Sequence, residues 1–396
     1  MPRKPRPGGL AAALAILLSS LPLAAAAQTL SYLGQQIVPS GTSFAGTTVG
    51  GLSAIDRIAG TDRFLALSDD RSALQPARFY ELTLDLSKFV RSPAPGAAGV
   101  GFTAVTTVLR PDGTPFPLNT VDPEGLRINP ATGTLFWSNE GQRAASGLQN
   151  PTVREMSAAG AYVRDFAVPA RYLPAGSVAG TAPGDLGVRN NLAFESLTLS
   201  SDGLTLYAAT ENALVQDGPF STTTSPSPSR ILSFDLATGQ PGKEWVYEVS
   251  PVVLPPVPAG GFATNGLVEL LAVGDREFIA VERSFAVGAA TPGAGPNGLP
   301  TGNTIRLFHI DARAATDVSG LDSLAGASYV PVAKTLLVDL SDFRNDDGSA
   351  LALDNIEGIA AGPMVDGRPT LILVSDNNFG AAQFTQFIAL LVRRGR

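Results

Sequence analysis

The sequence predicts an all-β chain folded as a β-propeller. Two observations carry that expectation. First, 42 glycines and 31 prolines punctuate short runs rich in Val, Ile, Leu, Phe and Thr, with no long amphipathic helix between them. Short strands with regularly spaced turn signals belong to sandwiches, barrels and propellers. Second, a two-strand pattern recurs five times, and an internal repeat of this period selects the propeller.

The repeat is an opening strand, a turn, and a second apolar strand ending in polar or acidic residues. It reads GLSAI (51–55) with FLALSDD (64–70), PEGLRI (123–128) with LFWSNE (135–140), and FESLTL (194–199) with LYAATEN (206–212). VELLAV (268–273) with FIAVER (278–283) and IEGIAA (356–361) with LILVSDN (371–377) complete the set. Each of the first four repeats is followed by two more strand-like runs. Examples are ARFYELTLDL (77–86) and FTAVTTVL (102–109), and RILSFDL (230–236) and EWVYEV (244–249). Four strands make one blade.

The last repeat is followed by a single run, AQFTQFIALLV (382–392), while TLSYLGQQIV (29–38) stands alone near the other end of the chain. Pairing the two would close the ring with strands from both termini and remove an exposed edge. Five four-stranded blades are therefore expected, or six if a degenerate repeat is hidden.

Arg3, Lys4 and Arg6 precede an apolar run from Leu10 to Leu23 and the small residues Ala24 to Ala27. That order is the pattern of a signal peptide over 1–27. It leaves 28–396 as one propeller domain in a secreted or periplasmic protein. The run is short for a membrane span and is broken by Ser19, Ser20 and Pro22. Loss of 1–27 removes three basic residues and no acid, taking the formal charge from −7 to −10. An acidic chain carries no nucleic-acid-binding signature. With no cysteine, disulfides, thiol nucleophiles and Cys-based zinc sites are excluded.

In a blade the inner strand lines the channel and its partner runs antiparallel, so the start of one and the end of the other share a mouth. Ser53, Glu124, Glu195, Glu269 and Glu357 take the start positions; Asp69, Asn139, Glu211, Glu282 and Asp376 take the end positions. Carboxylates gathered on one axis repel one another and need protons, arginines or a cation. Oxygen-only ligands without His or Cys suit a hard cation, and a large flexible set suits calcium. Glu124, Glu195, Glu211, Glu269, Glu282, Glu357, Asp69 and Asp376 are the expected ligands. Arg71, Arg127, Arg143 and Arg283 lie close in sequence, so salt bridges that merely neutralise the acids are the competing expectation.

The segments DPEGL (122–126), SNEG (138–141), FES (194–196), ATEN (209–212), NIEG (355–358) and SDNN (375–378) carry a resemblance. From about Gly50 to Val392 the chain resembles the phytase-like propeller family described as having esterase-like activity. The resemblance implies phosphoester hydrolysis served by repeated Glu and Asp residues. Two departures stand out: Ser53 replaces Glu in the first repeat, and Arg283 replaces the second polar residue of the fourth.

The expected activity is therefore calcium-dependent hydrolysis of a phosphorylated small molecule or phosphodiester, with Glu124, Glu195 and Glu357 at the reacting centre. Cations would bridge the substrate oxygens and polarise the phosphorus. Arg143 and Arg283 are candidate phosphate clamps, since a guanidinium meets phosphate in a bidentate manner. The alternatives are a calcium-stabilised binding scaffold, a calcium-dependent lactonase or carboxylesterase, and, less favoured, a glycosidase. The lone His309, inside TIRLFHIDA (304–312), has no G-x-S-x-G elbow to serve. The Gly/Pro/Ser-rich insertions 217–229 and 286–303 follow second strands and are expected at the acidic mouth, as a lid or as solvated linker.

Overall fold

The computed structural model describes residues 29–393, so the expected signal peptide lies outside the described residues. Each of the five repeats forms one four-stranded antiparallel sheet. Blade 1 comprises Leu52–Arg57, Arg63–Ser68, Arg78–Leu84 and Val100–Thr107. Blade 2 comprises Pro123–Ile128, Leu135–Asn139, Thr152–Met156 and Tyr162–Asp165. Blade 3 comprises Phe194–Leu199, Thr205–Thr210, Ser227–Asp235 and Pro241–Val249. Blade 4 comprises Ala263–Gly274, Glu277–Ala286, Asn303–Asp311 and Ala333–Asp339. Blade 5 comprises Asn355–Ala361, Thr370–Asp376, Thr385–Arg393 and, as its outer strand, Thr29–Val38. The count is five, and the ring is closed by the N-terminal and C-terminal strands as expected.

Closure works because Thr29–Val38 pairs antiparallel with Thr385–Arg393 along almost its whole length, from Thr29 opposite Arg393 to Val38 opposite Thr385. Gln386 donates from Nε2 to the Gln35 side chain at 2.5 Å and to the Ala352 carbonyl at 2.8 Å. Both glutamines are buried, so this polar contact also fixes the register of two strands that are distant in sequence.

The core is divided among the five blade interfaces. Successive side chains of a strand face opposite ways, and both ways are covered by a neighbouring blade. Leu206 and Ala208 pack toward blade 2 with Phe136 and Phe194. Tyr207 and Ala209 pack toward blade 4 with Phe278 and Phe308. This two-sided burial is why the second strands read as continuous apolar runs without alternation. Equivalent clusters fill the other three interfaces.

The five inner strands touch in a closed ring, and one ion pair joins them at the centre. Arg127 donates to the carbonyls of Ile55, Leu126, Leu270 and Ile359, on blades 1, 2, 4 and 5. Its Nη2 lies 2.9 Å from Glu269 Oε2, and Glu269 Oε1 accepts the Leu197 amide of blade 3 at 2.9 Å. Every blade is thus tied to one buried pair on the propeller axis.

Candidate metal centre at the channel mouth

The site is built by a β-bulge repeated in all five blades. The pairing register slips between Leu52 and Ala54, Pro123 and Leu126, Phe194 and Ser196, Leu267 and Glu269, and Ile356 and Gly358. A bulge leaves one residue unpaired and re-aims its side chain. The bulge residues are Ser53, Glu124, Glu195, Val268 and Glu357. Their neighbours before the bulge pair with Ser68, Asn139, Thr210, Glu282 and Ser375. The next residue of each second strand is therefore Asp69, Glu140, Glu211, Arg283 or Asp376. Blades 2, 3 and 5 supply an acid at both positions, blade 1 one acid and a serine, and blade 4 a valine and an arginine.

Asp122, just before the inner strand of blade 2, joins this set. Asp122, Glu124 and Glu140 each offer an oxygen within 4.8 Å of the others, and so do Glu140, Glu195 and Glu211. Glu140 belongs to both groups, and all five residues are buried. Glu140 Oε1 accepts the Ala193 amide at 2.7 Å, which holds it between the two groups. Among the described residues no donor reaches the carboxylates of Glu124 or Glu195. The buried Glu211 Oε1 has no hydrogen-bond partner either. Anionic oxygens taken from water without donors are costly unless a proton or cation meets them.

Their electrostatics express that cost. Burial first, and then repulsion from one another, pushes the carboxyls of Asp69, Glu124, Glu140 and Glu195 well above the usual range. Asp376 is raised in the same way, by burial and then by Glu357. Glu211 is pushed up to about 7 by burial, against the pull of Arg283. Asp122 is pushed up to about 6 by burial, with Arg71 opposing. Two guanidiniums reach the cluster. Arg71 donates from Nε to Asp122 Oδ1 at 2.7 Å, and Arg283 Nη2 lies 3.1 Å from Glu357 Oε1 and 3.5 Å from Glu211 Oε1. Two cations do not balance the carboxylates of Asp69, Asp122, Glu124, Glu140, Glu195, Glu211, Glu357 and Asp376.

The ring opens into a cavity of about 390 Å³ floored by Asp69, Glu124, Glu195, Glu357 and Asp376. Beside it, sharing Arg283 and Glu357, lies a larger cavity of about 790 Å³. Both insertions wall the larger cavity, through Phe220 and through Asn297, Leu299 and Pro300. Their mouth-side placement agrees with expectation, and neither is free linker. Asp217 takes a paired contact from the buried Arg230, at 2.6 and 2.9 Å. The Ser221 amide donates to Asn212 at 2.8 Å. In the other insertion Ala294 bridges to Pro300. Gly293 lies so near Leu351 and Ala352 that a Cβ would sit 2.7 Å from their backbone.

Three expected site residues lie elsewhere. Glu269 follows the bulge, so it points down the axis to Arg127; Val268 holds the ring position in blade 4. Glu282 precedes Arg283 and points away, where it accepts from Tyr247 Oη at 2.9 Å and the Ser250 amide at 3.0 Å and pairs with Lys334. Arg143 sits on a side hairpin, where its guanidinium donates to the carbonyls of Val188, Ser177, Ala175 and Leu186. With its donors held by backbone, it does not face the acid ring. Asn139 also yields its place to Glu140, accepting the Asp122 amide at 2.7 Å instead. His309 lies 3.9 Å from Glu277 on the third strand of blade 4, at the other end from the acid ring.

Two acids of this cluster, Asp122 and Glu140, were not among the expected ligands. Aligning the second strands on their last apolar residue sets SD, SN, TE, ER and SD over one another and selects Asn139; Glu140 stands one residue further on, and only the pairing of Asn139 with Pro123 brings it to the ring. Asp122 has no counterpart in the other repeats, so the repeat does not disclose it.

A comparison with curated proteins found no match. Among solved structures the chain is similar to an N-acetylgalactosamine deacetylase from F. plautii in complex with blood group B trisaccharide. That match has 11% identity, covers 93% of this chain and 95% of that one, and has a TM-score of 0.41. A DUF4221 family member from Bacteroides vulgatus matches at 8% identity, covering 93% and 99% with a TM-score of 0.39. The Dos1 propeller matches at 8% identity, covering 87% and 69% with a TM-score of 0.35. At such identities and scores these likenesses carry no argument about chemistry. The family model described as "Phytase-like: Esterase-like activity of phytase" matches residues 47–379, which span all the inner strands and ring residues above. The chain belongs to that phytase-like family.

Proposed function

We propose that this chain is an exported, calcium-dependent phosphoester hydrolase whose reaction takes place over the acid ring. The observation that carries the reading is the pair of donor-free, buried carboxylates Glu124 and Glu195, set between two oxygen triads that share Glu140. Asp122, Glu124 and Glu140 would hold one cation, and Glu140, Glu195 and Glu211 a second. All ligands are oxygens, the set that a hard divalent cation requires. A bound cation would supply charge neutralisation and polarisation of a phosphoryl oxygen.

The remaining work falls to the chain. Arg283, at the junction of the two cavities, binds and orients the phosphate. Glu357 accepts from Arg283 and Asn355 through Oε1, which leaves Oε2 to hold a proton. Its carboxyl is raised by burial, against the pull of Arg283, as a general acid requires. Glu357 Oε2 can then protonate the departing ester oxygen as water adds to phosphorus and the P–O bond breaks.

Export rests on the order of basic, apolar and small residues over 1–27. Among the described residues no helix is long and apolar enough to cross a membrane.

The apolar wall of the larger cavity favours a second reading, a carboxylic ester or lactone as substrate. The test is hydrolysis of p-nitrophenyl phosphate, bis-p-nitrophenyl phosphate and p-nitrophenyl acetate by chelated protein with calcium, magnesium or no cation restored. Calcium-selective turnover of the phosphate esters is expected. Turnover of the acetate alone favours the second reading, and no turnover with a calcium-selective rise in thermal stability leaves a binding scaffold.

A further inference from the structure

The 790 Å³ cavity is far larger than a phosphate group, and its lining has a definite chemistry. Of the described residues around it, Arg283 is the one cation, facing Glu211, Asp354 and Glu357. One guanidinium is too few for a substrate with several phosphates. The part of the substrate that fills this space must therefore be uncharged.

Two kinds of surface meet in the cavity. One is aromatic: Phe262 and Phe285 lie with ring centroids 6.1 Å apart, and Phe220 faces them from another loop. Phe262 is 67% exposed, and Phe220, with the Arg189 guanidinium 5.7 Å from its ring centroid, is 45% exposed, so these rings are not consumed by the core. The other is a set of carboxamides. Asn303 is 4% exposed and lines the cavity, yet its Oδ1 has no hydrogen-bond partner. Asn378 makes its one hydrogen bond through the backbone amide. Asn191 engages Oδ1 with Arg71, and Gln383 engages Nε2 with Asp354; each keeps the other half of its amide uncommitted.

An apolar face flanked by neutral groups that both donate and accept matches a sugar ring, which has a C–H face and a rim of hydroxyls. A purely aryl group would leave the buried Asn303 amide unsatisfied, which costs free energy. We propose that the larger cavity is a sugar subsite, and that the substrate is a phosphate ester of an otherwise neutral sugar. The inference rests on the phosphoester reading for the phosphate and on the cavity alone for the sugar.

The experiment measures kcat/KM with calcium for glucose 6-phosphate, glucose 1-phosphate, phenyl phosphate and inositol hexakisphosphate. It measures binding of the neutral methyl glucoside and maltose by calorimetry in parallel. A sugar phosphate should be preferred over phenyl phosphate and inositol hexakisphosphate by tenfold or more. Phe262→Ala and Asn303→Ala should each reduce the sugar-to-phenyl preference severalfold, mainly through KM, and thermal unfolding of each variant confirms the fold. Preference for inositol hexakisphosphate or for phenyl phosphate overturns the inference. If no phosphate ester is hydrolysed, the phosphoester reading fails. The sugar subsite then stands on glycoside binding that Phe262→Ala abolishes, and falls if neither glycoside binds.

Discussion

Removing cations from the acid ring should invert the usual dependence of stability on pH. Glu211 is 1% exposed, and its carboxyl is pushed up from the ordinary 4.5 to about 7. Between pH 5 and 7 the folded state keeps a proton that the unfolded state has released. Stability must then fall as pH rises through that window. At ~1.4 kcal/mol per pH unit, Glu211 alone contributes a loss of about 3 kcal/mol. Asp122, raised to about 6, adds to it with the same sign, as do the carboxyls raised further. Carboxyls held below the ordinary range, such as those of Asp85 and Asp185, act in the opposite sense. Hydrogen bonds from Ser87 and Ser177 hold them down, so their contribution is complete before the window opens. For a chain of this size ~3 kcal/mol corresponds to roughly 4 °C in Tm. The assay is thermal unfolding of desalted, chelated protein from pH 5 to 8, repeated with saturating calcium. The apo Tm should fall across the range and calcium should make that fall smaller, because cations displace the protons of the ring while Glu269, pushed up by burial to about 7, titrates in both forms. An apo Tm that is flat or rising from pH 5 to 8 would show that the ring is not the repulsive cluster described.

Three substitutions give further expected outcomes. Glu140→Gln removes the acid common to both triads, so it should abolish most of a cation-induced Tm rise; a site filled to 100 times its Kd otherwise adds about 2.7 kcal/mol. The same variant should make the apo protein more stable at pH 8, since one repelling charge is gone. Arg283→Gln should lower apo stability at pH 8 by about 3 kcal/mol, the typical cost of breaking a buried pair, with part of it regained at pH 5 where Glu211 protonates. It should also raise KM for phosphate esters more than it lowers the Tm response to calcium. Glu269→Gln should destabilise by a similar ~3 kcal/mol by leaving Arg127 unpaired, yet leave the cation response intact, as titrations of Tm against calcium would show.

The fold was legible because its signal is repeated. Five copies of a strand pair, with buried apolar residues on both sides, mark blades even where loops differ, and the unmatched run 29–38 announced its partner by leaving the fifth blade one strand short. The bulge was not legible. It shifts the register by one residue, and in TNGLVELLA (264–272) that shift separates Val268 from Glu269. Matching by residue type selects Glu269, whereas the backbone selects Val268. Asn139 gave way to Glu140 because blade 2 carries one more residue after its last apolar position, and Glu282 gave way to Arg283 because matching by residue type prefers the acid. Arg143 was misjudged for another reason: proximity in sequence to SNEG says nothing about the hairpin that turns it toward four carbonyls.

The Arg127 and Glu269 pair has a kinetic consequence. It stoppers the channel from below, so the ring can exchange with solvent from one side only. Occupants of the ring would therefore enter and leave through the two cavities at the acidic mouth, and anything seated over the ring would lie in their way. A product held in the upper cavity would slow the escape of anything beneath it, and a chelator should strip the resting protein faster than one engaged in turnover.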